Sequence, residues 1–115
     1  METRIVKDKI TKDELKELAQ EQYGDIIKAV VDVKQEILGV GGELHVDIQS
    51  LLIERENSES QKTWGINLYF NKTANDFIEF DSMINLKPAL GNKSRSVEDL
   101  ETQNKIREIV NKLII

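Results

Sequence analysis

Apolar positions along the chain change their period several times, and each change marks an expected element. The first signal is Ile10-Thr11-Lys12-Asp13-Glu14-Leu15. Thr11 can cap a helix and Glu14 can reach back to it, while Ile10 and Leu15 occupy staple positions. Leu15, Leu18 and Ala19 then form one apolar stripe, and Gly24 is a natural stop after Tyr23, so a helix is expected over 12–23. The next stretch, Ile26 to Val33, is dense in β-branched residues, as strands are. A second apolar run, Ile37-Leu38-Gly39-Val40, follows the polar break Lys34-Gln35-Glu36, and the two runs together suggest a hairpin. The same positions Ile26, Ile27, Val30, Val33 and Ile37 also fit one helix from Asp25 to Gly39, so the period alone leaves that alternative open.

Gly41-Gly42 marks a turn, and Asp47 is expected to cap a short helix over 48–55. Residues 56–62 are polar and read as a loop. Trp64, Ile66, Leu68 and Phe70 alternate with smaller or polar residues, the pattern of a half-buried strand. Asn71 to Asp76 has turn chemistry. Ile78, Phe80, Ser82, Ile84 and Leu86 alternate in the same way and predict a further strand, ended by Pro88. Ser96 is placed to cap a last helix, whose stripe is Leu100, Ile106, Ile109, Val110, Leu113 and Ile114. The expected order is α-β-β-α-β-β-α. That predicts an α+β fold in a single domain over 1–115, with an antiparallel sheet of about four strands in two hairpins and helices covering one face.

Charge narrows the partners. Of the net −5, residues 1–60 hold 8 basic and 14 acidic side chains, and residues 61–115 hold 8 basic and 7 acidic. An acidic body repels phosphate backbones, which argues against nucleic acid as a general partner. With no cysteine, the chain has no disulfide framework, thiolate metal site or cysteine nucleophile. No stretch has the apolar length of a membrane span and the first residues show no secretory pattern, so a cytoplasmic protein without a membrane partner is expected.

Candidate chemistry is sparse. His45 is the one histidine, and Glu43 and Asp47 flank it at spacing two. On an extended segment all three would point to one side, so a carboxylate would orient the ring; a loop hydrogen bond explains His45 as well. One histidine without cysteine does not make a zinc set. Asn71 to Asp76 lacks the glycine and the terminal glutamate of a calcium loop, so neither a metal nor another cofactor is expected. Ser82 stands mid-strand without a glycine elbow. Trp64 has the parity of a core residue.

The segment from Ser82 to Val97 has no acidic residue but holds Lys87, Lys93 and Arg95. Within it Gly91-Asn92-Lys93-Ser94-Arg95-Ser96 runs toward the last helix. Glycine, amide, hydroxyl and cations before a helix N-terminus suit a phosphate or carboxylate, although the spacing is not a Walker motif. Lys87, Gly91, Asn92, Lys93, Ser94 and Arg95 are therefore the candidate ligand-binding residues, with Arg95 able to hold two oxygens through its fork.

The spans Ala29–Asp47, Trp64–Tyr69 and Phe80–Asp99 resemble a family of small prokaryotic proteins known only as a domain of unknown function. The resemblance covers most of the chain. Its more specific pieces are Gly41-Gly42-Glu43-Leu44-His45 with Asp47, and Ile84-Asn85-Leu86 with Pro88 and the loop from Gly91 to Arg95. The family pattern has arginine in place of Lys87 and Lys93, and serine-glutamine in place of Ala89-Leu90. The resemblance implies no reaction and no partner. The leading expectation is a non-catalytic module that binds a small anion or a protein partner. The alternatives are a small hydrolase or transferase using His45 with Glu43 or Asp47, and an RNA-binding accessory protein using Lys87, Lys93 and Arg95.

Overall fold

The computed structural model describes residues 2–21 and 24–115, apart from the side chains of Ala74 and Asn75. Ile26 and Ile27, like Val30 and Val31, are sequence neighbours, so a strand through them sends apolar side chains to both sides. That strand is β2 (Ile26–Asp32), and it sits at the centre of the fold. The elements in chain order are β1 (Arg4–Val6), α1 (Lys12–Gln20), β2, β3 (Ile37–Val40), α2 (His45–Glu56), β4 (Thr63–Tyr69), β5 (Ile78–Glu79) and α3 (Leu100–Leu113). The five strands form one antiparallel sheet in the order β1-β3-β2-β4-β5.

The stretch 25–39 is a hairpin, not a helix, with Asp32 opposite Ile37 and Ala29 opposite Val40. Its turn is locked by Asp32, whose carboxylate accepts from the backbone N–H groups of Lys34 and Gln35, both at 2.9 Å, and from Ser58 Oγ at 2.6 Å. Glu36 closes the turn in the left-handed region (φ 58°) and forms ion pairs with Lys105 and Lys112 of α3.

Apolar residues cover both faces of the sheet. On the first, Ile27, Ala29, Val31, Leu38, Ile66 and Leu68 meet α1 and α3 through Leu15, Ala19, Ile106, Ile109 and Leu113. On the second, Val30 and Ile37 meet Ile48 and Leu52 of α2. Gly39 makes that approach possible, since a Cβ there would lie 2.6 Å from Ile48 Cγ2. Helices on both faces replace the expected single covered face. The consecutive apolar residues of β2 and β3 are what require it.

Several boundaries differ from expectation. β1 is too short, at three residues, to show a period, yet it pairs with β3 at the sheet edge. α1 has the expected cap, with Thr11 Oγ1 accepting from Glu14 N–H at 3.1 Å, but it ends at Gln20 with Glu21 as its C-cap; the last two expected positions, Gln22 and Tyr23, lie outside the described residues. α2 begins at His45, so Asp47 is a first-turn residue and not the cap. α3 begins at Leu100, where Asp99 and not Ser96 caps, accepting from Thr102 N–H at 3.1 Å. The strand expected over 78–86 stops at Glu79. Ser82 Oγ there accepts from Ile84 N–H and starts a short 3-10 turn over Met83–Asn85, a local bond that competes with the ladder. Among the described residues no helix is long and apolar enough to cross a membrane.

Candidate ligand-binding cleft

On its second face the sheet is only partly covered. α2 lies over β3 and the adjoining half of β2, and beyond it the outward side chains turn polar. Lys28 stands opposite Asn67, and Asn67 opposite Glu79, so three neighbouring strands present a polar row at one level. Tyr69, opposite Ile26, extends it. The first residues of α2 make one wall and the segment from Asp81 to Ile84, with Arg95, makes the other. The result is an open cleft of about 540 Å³.

His45 stands at the base of the α2 wall, 9% exposed. Its Nε2 lies 2.8 Å from the Ile66 carbonyl oxygen. A carbonyl only accepts, so Nε2 carries the proton and a neutral ring keeps its lone pair on Nδ1. Burial pushes the imidazole below its ordinary pKa; the Ile66 hydrogen bond and Asp81 pull it up, and Lys28 and Arg95 push it further down. The ring fits because Gly65 beneath it has no side chain. A Cβ at Gly65 would lie 3.1 Å from His45 Cδ2 and 2.5 Å from both Cβ and Oγ of Ser82.

The expected carboxylate beside His45 is not there. His45 and Asp47 stand two apart in a helix and so do not share a side, Glu43 lies in the bend before that helix, and both carboxylate residues are exposed while His45 is buried. Ser82 is 1% exposed and its Oγ is engaged with Ile84 N–H, so it is neither accessible nor activated as a nucleophile. Among the described residues no group of three or more histidine and carboxylate side chains converges as metal ligands do.

The floor contains one orphan. Asn67 is 8% exposed, and its Nδ2 donates to Glu79 Oε1 at 2.9 Å and to the Asp81 carbonyl at 3.3 Å. Both partners are acceptors, so the amide orientation is fixed and Oδ1 is the atom left over. Asn67 Oδ1 is the buried side-chain polar atom without a partner among the described residues. Such a group costs about 1–3 kcal/mol unless something donates to it. Glu79 Oε1 also accepts from Tyr69 Oη at 3.0 Å, and this pairing, after burial, raises the phenol pKa.

Of the residues expected to bind an anion, the structure brings Arg95 alone into this cleft, beside His45. Arg95 Nε donates to Asp81 Oδ1 at 2.7 Å, and its two terminal amino groups make no hydrogen bond to a described residue. Lys87 lies elsewhere. Its ammonium is buried under Trp64, 5.0 Å from the ring centroid, and donates to the carbonyls of Ser60 and Ile84 at 2.9 Å; burial lowers its pKa. Asn92 is buried and ties the loop together through the carbonyls of Asn85, Ser94 and Ser96. Gly91 takes a left-handed turn conformation (φ 81°). Ser94 Oγ accepts from Ser96 N–H, and Glu98 already holds the Lys93 N–H at 2.9 Å.

Lys28, Asn67, Tyr69, Glu79 and Asp81 went unnoticed as a site in the sequence. Their signal was the polar parity of β4 and the lone lysine inside the apolar run of β2, both of which read as solvent-facing positions.

No curated protein and no solved structure matches the chain. A family model described as "Protein of unknown function (DUF5674)" matches residues 4–113. With the match running from β1 to the end of α3, the chain belongs to the DUF5674 family of proteins of unknown function.

Proposed function

We propose that this protein is a binding module whose cleft takes a small ligand through an anionic group. The observation that carries the reading is the convergence of Arg95 and Lys28, from separate parts of the chain, on one concave site. Arg95 is steadied by Asp81 through Nε, which leaves its terminal amino groups for a carboxylate or phosphate. The cleft also has apolar walls, with Leu44 54% and Met83 62% exposed at its rim. A concave site with apolar walls and a few convergent polar groups suits a small molecule better than a flat protein surface.

A thermal-shift panel of inorganic phosphate, small carboxylates and amino acids tests this. A ligand at one hundred times its dissociation constant stabilises the native state by about 2.7 kcal/mol. The expected result is a raised midpoint with at least one anionic compound, lost in Arg95→Ala. No shift across the panel, or equal shifts in both proteins, contradicts the reading.

A further inference from the structure

Resting on the cleft being a ligand site, we propose that its ligand is a zwitterion of the amino-acid class, with a primary ammonium held at Asn67, Glu79 and Asp81 and a carboxylate held at Arg95. The cleft carries both signs of charge: Lys28 and Arg95 against Glu79 and Asp81. A bare anion would leave the acceptor side unanswered. Asn67 Oδ1 is buried on the floor without a donor, and its own amide protons are committed to Glu79 and Asp81, so it cannot turn to satisfy itself. Glu79 receives both of its hydrogen bonds on Oε1, and Asp81 receives Arg95 on Oδ1. The bonds that these two carboxylates accept from Asn67, Tyr69 and Arg95 thus fall on one oxygen of each. An ammonium offers three N–H donors and no acceptor, which suits a cleft lined by an amide oxygen and two carboxylates. His45 adds no cation here, because its protonated nitrogen is turned into the Ile66 carbonyl. The exposed apolar rim of Leu44, Val46 and Met83 gives an aliphatic substituent somewhere to lie.

Leucine separates the parts of this idea, because its two fragments are simple compounds. 4-Methylpentanoate lacks the ammonium, and 3-methylbutylamine lacks the carboxylate. Calorimetric or NMR titration of the intact protein with each is expected to show leucine binding about tenfold more tightly than either fragment, the usual worth of one charge-assisted hydrogen bond. Asn67→Leu is expected to bring leucine down to the level of 4-methylpentanoate; should that variant not fold, Glu79→Gln tests the same side of the cleft. If 4-methylpentanoate binds as well as leucine and loses affinity in Arg95→Ala, the cleft takes a simple anion and the zwitterion is wrong. If 3-methylbutylamine binds as well as leucine, the carboxylate plays no part and the zwitterion is again wrong. If none of the three binds, the inference falls; an anionic compound that still raises the midpoint in an Arg95-dependent way would leave the anion site standing without it.

Discussion

At the scale of single residues, His45 shows how the fold fixes an imidazole and suppresses its charge. Its ring is fixed from below by the absent side chain of Gly65 and from the side by the Ile66 carbonyl. Its charge is suppressed by burial, with Lys28 and Arg95 adding to the effect. Because the folded pKa lies below the unfolded one, near 6.5, the unfolded chain takes up a proton first as the pH falls. His45 therefore leaves stability intact above that value and removes some of it as the pH drops from about 6.5 toward the folded pKa. Denaturation midpoints of the wild type should fall between pH 7 and pH 5 by more than those of His45→Gln, in a range where carboxylates remain ionised. Parallel profiles for the two proteins would mean that the ring is not held neutral. The sequence singled out His45, but not the groups that hold its ring. Glu43 and Asp47 were neighbours only along the chain, and the atoms that hold the ring come from β4, 21 residues away.

At the scale of elements, the segment after β5 shows why a period can mislead. Ile78 to Leu86 alternates as a strand does, yet the ladder ends after Glu79. Asn85 takes over, since its amide accepts from the Gly65 N–H at 2.8 Å and donates to the Gly65 carbonyl at 3.0 Å. A side chain thus stands where strand backbone was expected. The same amide nitrogen reaches the Arg95 carbonyl at 2.9 Å, so Asn85 also anchors the wall that carries Arg95. Asn85→Ala should cost about 2–4 kcal/mol in chemical denaturation, since it strips partners from several buried backbone groups at once. A loss under half a kcal/mol would show that water replaces the amide. The hairpin of β2 and β3 and the cap of α1 were legible in the sequence because they rest on local signals, β-branched density and a capping box. The start of α3 was not. Ser96 and Asp99 are both good capping residues, and the choice between them is made by Asn92, whose Oδ1 accepts from Glu98 N–H and keeps the chain irregular to that point.

At the scale of the whole molecule, the cleft exists because a two-faced sheet is covered unequally. α1 and α3 cover the first face, whereas α2 covers only part of the second. Strands that alternate apolar with polar, as β4 does, do not say whether the polar side meets water or a helix, and the hidden half of this site follows from that ambiguity. The general class, an α+β fold with an antiparallel sheet, could be read from the order of periods. The juxtaposition of His45 and Arg95 could not, because fifty residues of chain separate them. The proposed amino-acid site draws on both walls of that cleft, and amide chemical-shift mapping with leucine tests it most directly. Perturbations that saturate and centre on Lys28, His45, Asn67, Asp81 and Arg95 are the predicted result. Perturbations that fail to saturate, or that scatter over surface cations such as Lys93 and Lys105, would contradict it.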